Sequence, residues 1–349
     1  MDKDTVVSLD LQDRDRALDW LTALSPIWLM GIIYFRWWAL FLPVVTAAGY
    51  LAASWLLGRL RVLEVSVPAA CCTGLLIALC LPSTTPVWVG ALAGMAAAGV
   101  TALPTLLRRR WADAPALLHP ALVGYLMVRL IFPAETTAFT MPAMWATDTV
   151  SSATPLAALS EPLTAEGLPR LLMGVYPSAI GEGCVPVILL AALYLLLRRR
   201  LRLIAPAAML GGVTLLSWMV WGNPLGGLLS GGVVLGALLL ADRAFVPASY
   251  GPQALTGLVA AAVTVVLRAV TGTDGTAVGV LLGCALSPFY PALLRYSRRA
   301  AIWLWAQIRR YAPVVWSWLL RLFGRHIPAA ARRVAAWVRE IFAKTENKC

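Results

Sequence analysis

Apolar residues run along this chain in ten blocks of about 17 to 21, over 17–35, 37–57, 66–82, 86–106, 114–132, 177–197, 202–221, 225–241, 253–270 and 276–296. A helix needs about 20 predominantly apolar residues to cross a bilayer core, so the pattern predicts ten transmembrane helices. The stretch ahead of them, MDKDTVVSLDLQDRDR, is polar and rich in acids. It lacks the basic start and small-residue cleavage site of a signal peptide, so residues 1–16 are expected to be a short retained segment. The block 225-LGGLLSGGVVLGALLLA-241 carries glycines at the small-xxx-small spacing that lets helix backbones approach closely. It is expected to face protein rather than lipid.

The polar links between blocks orient the bundle. After the second, fourth, sixth and eighth blocks come Arg59 and Arg61; Arg108, Arg109 and Arg110; Arg198, Arg199, Arg200 and Arg202; and Arg243. The alternate links are poor in bases. Those at 82-PSTTP-86 and 222-GNPL-225 carry no charge, and 133–176 holds Glu135, Asp148, Glu161 and Glu166 against Arg170. Lys and Arg collect on the cytoplasmic side. Both termini are therefore expected in the cytoplasm, and the 133–176 loop on the outer face of a bacterial inner membrane. Arg36 and Arg268 run against this rule, and both are expected to snorkel from span ends to the interface. The long loop leaves five blocks on each side. An odd number per half sets the halves in opposite orientations, which predicts an inverted repeat with ligands between the halves. Ten spans without internal symmetry remain the alternative.

Composition agrees with a membrane domain, since 60% of the residues are hydrophobic, 13% are charged and the mean hydropathy is +0.77. The predicted fold class is an all-α integral membrane protein of about ten helices in two inverted halves, spanning 17–296. Residues 297–349 add a basic cytoplasmic tail. Within it, 332-RRVAAWVREIFAK-344 places Val334, Trp337, Val338, Ile341 and Phe342 on one helical face opposite Arg332, Arg333, Arg339 and Lys344. That pattern predicts an amphipathic helix lying on anionic lipid rather than on nucleic acid. A docking surface for a cytoplasmic partner is the other reading. The six cysteines, at 71, 72, 80, 184, 284 and 349, show no CxxC or metal-type spacing and are expected to pack as small hydrophobes.

Chemistry enters in the outer loop at 147-TDTVSSATPLAALS-160, where Asp148, Ser151, Ala153 and Thr154 fall in the order D-x-x-S-x-A-T. By itself such a stretch is a solvated, hydroxyl-rich loop. Its order resembles the flavinylation motif of the related D subunit of Rnf and B subunit of the sodium-translocating NADH:quinone oxidoreductase, Nqr. The resemblance extends along the membrane region. It includes 73-TGLLIALCLPSTTPVWV-89, 119-HPALVGYLMVRLIFP-133, 229-LSGGVVLGALLLADRAFVPAS-249 and 273-TDGTAVGVLLGCALSPFYP-291, each similar to a family segment in the same order.

The resemblance implies that Thr154 carries FMN through a phosphoester placed by a flavin transferase, with Asp148, Ser151 and Ala153 read by that enzyme. It also implies a noncovalent riboflavin within the bundle and neighbouring Rnf-type subunits in a membrane complex that couples ferredoxin and NAD redox chemistry to H⁺ or Na⁺ translocation. The short N-terminal segment, the chain length and Pro155-Leu156 after the threonine resemble Rnf D more than Nqr B. The chain departs from the family pattern at His119 and Cys284, where Asn is usual, at Arg243 for a proline, and at Pro291. Asp242 and Asp274 match family acids at span ends, positions that also suit solvated loop acids. A flavin-free channel or transporter for a small polar solute is the reading from another class.

Overall fold

The computed structural model describes residues 3–59, 66–108, 118–142, 167–229 and 232–296, together with Trp303 and Trp305. Secondary structure among them is helical apart from one isolated bridge between Leu201 and Asp242. In chain order the helices are α1 (Lys3–Phe35), α2 (Trp37–Arg59), α3 (Val67–Cys80), α4 (Val87–Arg108), α5 (Pro120–Ile131), α6 (Pro133–Thr136), α7 (Gly167–Leu172), α8 (Val185–Leu197), α9 (Ile204–Trp221), α10 (Pro224–Leu229), α11 (Val233–Leu240), α12 (Tyr250–Thr271) and α13 (Thr276–Ala285). Proline occupies the first turn of α3, α5, α6 and α8, where its missing N–H has no partner to lose. Gly222 and Gly272 close α9 and α12 in the left-handed conformation, at φ 71° and 66°, each returning its N–H to the helix.

Every apolar block contains a helix, but the blocks differ in length and continuity. Among the described residues, four helices are long and apolar enough to cross a membrane: Arg14–Phe35 of α1, α2, α9 and α12. A fifth forms if α13 and the segment Ser287–Tyr296, bent by 42°, are taken as one span. The bend falls where Pro288 removes a backbone donor. α1 begins at Lys3, so residues 3–16 lie on the same helix as the first apolar block. The block 177–197 is helical only from Val185, because Pro177, Gly181 and Gly183 precede it. The block 225–241 holds α10 and α11, with Gly232 standing outside the helix as the N-cap of α11.

Residues up to Pro291 form one compact unit. Within it, α2 packs on α3 and α4, and α4 on α5; α9 packs on α10, α11 and α12, and α12 on α13. Close approach depends on glycine. A Cβ on Gly94 would lie 2.1 Å from Thr46 O between α4 and α2, and one on Gly257 would lie 2.1 Å from Ala205 O between α12 and α9. The core runs through Leu42, Tyr50, Ile77, Leu79, Leu122, Ile188, Met209 and Leu239, and all described residues of α11 are buried or half-buried. Outer faces are apolar too, with Trp55, Leu189, Leu190, Val266 and Val270 exposed. A large apolar exterior is a liability in water and the norm in lipid. The five described cysteines are free thiols, and Cys72, Cys184 and Cys284 are buried.

Candidate functional site

Asp148, Ser151, Ala153 and Thr154 lie outside the described residues, as does the predicted tail helix 332–344. What the structure places are the two ends of the loop that carries the motif. On its leading side, Thr84 Oγ1 donates to Ala138 O at 2.6 Å, and the hydroxyls of Ser83 and Thr140 share a hydrogen bond of 3.0 Å. On its trailing side, Tyr34 donates to Met173 O at 2.7 Å, Ile180 N to Leu81 O at 3.1 Å and Gly181 N to Leu79 O at 2.8 Å. Both ends are thus tied beside the C-terminal end of α3. Residues 133–142 and 173–184 share this end of the bundle with the base-poor 82–86 link.

The same end holds a cluster of charges, one buried and the others half-buried, at the neighbouring ends of α10 and α11. Arg268, in the last turns of α12, has a side chain only 1% exposed, and its Nη2 lies 2.8 Å from Asp274 Oδ1. Its Nη1 donates to Gly227 O in α10 at 2.7 Å. Asp274 also accepts from Thr276 Oγ1 at 2.6 Å, and its Oδ2 accepts the N–H of Gly232, ahead of α11, at 3.2 Å. A cation therefore meets the carbonyl end of one half-helix and an anion the amide end of the next, as the peptide dipoles favour. The ion pair thus ties backbone groups at Gly227 and Gly232, the kind of protein partner that polar backbone groups need at membrane depth. Arg268 does not snorkel and Asp274 is not a solvated loop acid. Paired burial overrides both expectations.

Glu182 joins this cluster from the segment before α8. A Cβ on Gly232 would come within 2.4 Å of Glu182 Oε1 and 3.5 Å of Asp274 Oδ2, so only glycine lets the two carboxyls share this backbone. Arg129 of α5, hydrogen-bonded to the Tyr125 hydroxyl, lies within electrostatic reach of both acids. Neither Glu182 nor Arg129 was singled out from sequence. Their signal was present, because a lone ionisable residue inside an apolar block is costly and tends to be functional.

At the opposite end, Asp19 of α1 is held by Arg198 Nη2 at 2.9 Å and Arg200 Nε at 2.6 Å, and Arg16 Nη2 lies 2.5 Å from Asp242 Oδ2. Asp242 is buried, not solvated. His119 caps the start of α5 with its ring 4.5 Å from Phe245, and among the described residues its buried Nδ1 has no hydrogen-bond partner. Of the other departures from the family pattern, Cys284 packs in α13 and Arg243 is exposed. The described residues bring no three His, Cys, Asp or Glu together as a metal site.

The model of the NQR2, RnfD, RnfE family matches residues 8–104 and 114–299. The chain is 24% identical over 287 residues to the D subunit of the proton-translocating ferredoxin:NAD(+) oxidoreductase complex of Clostridium ljungdahlii, covering 76% of this chain and 85% of that protein. It is 27% identical over 277 residues to the D subunit of the Na(+)-translocating ferredoxin:NAD(+) oxidoreductase complex of Acetobacterium woodii, covering 77% and 85%.

Proposed function

This chain belongs to the NQR2, RnfD, RnfE family, and on that premise we propose that it is an Rnf D-type, flavin-carrying electron-transfer subunit of an ion-translocating ferredoxin:NAD oxidoreductase complex. The observation that carries the reading is the Asp148, Ser151, Ala153, Thr154 motif, set in a loop whose two ends are tied to the base-poor end of the bundle. The Thr154 hydroxyl forms the phosphoester to FMN, and Asp148, Ser151 and Ala153 present it to a flavin transferase. Bound there, FMN supplies the electron-transfer chemistry, while the chain supplies attachment and orientation. Covalent attachment keeps the carrier from being lost at an aqueous face. A noncovalent riboflavin belongs to the same reading, and no described residue is assigned to it.

The Arg-bearing end is cytoplasmic on this proposal, with both termini in the cytoplasm of a bacterium and the flavin loop outside. The ten apolar blocks are ten spans in two inverted halves. Support comes from the repeated packing order, α2 with α3 and α4 followed by α5, then α9 with α10, α11 and α12 followed by α13. The broken α10–α11 helix at the charge cluster is the discontinuous span that such repeats place at ligand sites. The two relatives, named for H⁺ and Na⁺, leave either as the coupling ion here. Both names favour Rnf over the Nqr B subunit. The tail from 297 lies on anionic lipid, and the other Rnf-type subunits are the protein partners.

The test is the intact mass of the chain made in a host with the flavin transferase, with fluorescence of the gel band under ultraviolet light. Wild type gains one FMN phosphoester and Thr154→Ala gains none. Thr154→Ser keeps the nucleophile, so loss of flavin there reports recognition by the transferase. A wild-type chain without the adduct on the Thr154 peptide overturns the redox reading and leaves the channel or transporter reading in its place.

A further inference from the structure

Beyond the flavin reading, the links 198–203 and 241–249 carry positive charge that the described ion pairs do not neutralise. Arg198 and Arg200 share the single carboxylate of Asp19, and Asp242 is paired with Arg16. Arg199, Arg202 and Arg243 have no carboxylate within ion-pair distance among the described residues. The two links are zipped together, which fixes where these side chains start. Arg202 N donates to Ala241 O at 2.8 Å, and the Arg202 guanidinium donates to Val246 O. Arg243 Nη1 donates to Arg199 O at 2.6 Å, and Leu201 bridges Asp242. Burial, and then the charge of Arg243, lowers the Arg202 pKa from its ordinary value, so like charges face one another here.

An uncompensated group of guanidinium donors is an anion site, because the planar fork matches phosphate oxygens in a paired geometry. The flanks decide which phosphate. Leu197, ending α8, is 75% exposed and Leu203, ahead of α9, 51%, and Tyr250 at the start of α12 is exposed too. Exposed apolar side chains and an aromatic on the segments that carry the guanidinium groups match the boundary where a headgroup meets its acyl chains. We infer that Arg199, Arg202 and Arg243 form a headgroup site for an anionic phospholipid between the α8–α9 and α11–α12 links. Such a site pins the ends of four helices to the membrane surface, independently of the basic tail.

The experiment titrates the detergent-solubilised full chain with phosphatidylglycerol or phosphatidylcholine and counts retained lipid by native mass spectrometry. The tail is present in every variant, so differences report the links. Phosphatidylglycerol is retained over phosphatidylcholine. Each of Arg199→Gln and Arg243→Gln weakens it about fivefold and the pair about thirtyfold, in keeping with the worth of one base near an anionic surface. Arg14→Gln, which removes an exposed charge on α1, leaves it unchanged. Thermal unfolding of each variant in lipid-free detergent matches wild type, separating lost binding from lost fold. Equal retention of the two lipids, or unchanged binding in the double variant, overturns the site. Displacement of the lipid by millimolar inorganic phosphate makes it a free-phosphate site and overturns the lipid assignment.

Discussion

At the scale of single residues, the Arg268–Asp274 pair makes the sharpest energetic claim. Arg268 is buried and Asp274 half-buried, and Asp274 also holds Thr276 and the Gly232 amide. Removing one partner strands the other away from water at a cost of about 3–5 kcal/mol, whereas removing both is far milder. Asp274→Asn and Arg268→Gln are each expected to lower the melting temperature sharply in detergent, and the double variant to recover part of the loss. Equal loss in all three would show that the charges do not act as a pair. Sequence held both residues but not their relation. Six positions apart across a helix end, they read as a snorkelling base and a loop acid, because a chain pattern shows depth along a span and not the way a side chain turns. Glu182 was missed for the same reason, hidden in an apolar block whose first residues are not helical.

At the scale of elements, the 3.6-residue pattern located helices in every block, and the small-residue spacing in 225–241 identified the element that the structure buries. It did not show that Gly232 leaves the helix, since a glycine there reads equally as close packing or as a helix start until Asp274 is seen to take its N–H and Arg268 the Gly227 carbonyl. Glycine has opposite consequences at two positions in neighbouring helices. Gly257→Ala drives a methyl to 2.1 Å from Ala205 O, a backbone atom that cannot step aside, and so separates α12 from α9. Gly211 of α9 has nothing within 4 Å of its missing Cβ. Alanine there gains helix propensity worth about 0.8–1 kcal/mol against glycine. Thermal unfolding in detergent should fall for Gly257→Ala and hold or rise for Gly211→Ala. Equal behaviour would mean that helix contact, not propensity, was misjudged.

At the scale of the whole molecule, the asymmetry of charge between the two ends of the bundle is the property on which the functional reading depends. One end gathers Arg198, Arg199, Arg200, Arg202 and Arg243; the other gathers the base-poor links and the tethers of the 133–176 loop. The flavin motif was legible in the sequence alone, and the structure adds the tethers at the two ends of its loop. α12 offers a direct test of the layout. Its 22 residues span about 33 Å at 1.5 Å per residue, enough for a bilayer core of about 30 Å. Exposed residues flank it, Ser249 at its start and Thr273 just past its end. With the native cysteines replaced, single cysteines at 249, 273 and 150 in right-side-out cells should divide two ways. Those at 273 and 150 should react with a membrane-impermeant maleimide, and the one at 249 only after permeabilisation. Reaction of 249 and 273 from the same side would show that α12 does not cross. Protection of 150 together with 249 would place the Thr154 loop in the cytoplasm, out of reach of an extracytoplasmic flavin transferase. The positive-inside orientation would fall with it, whatever the mass of the chain.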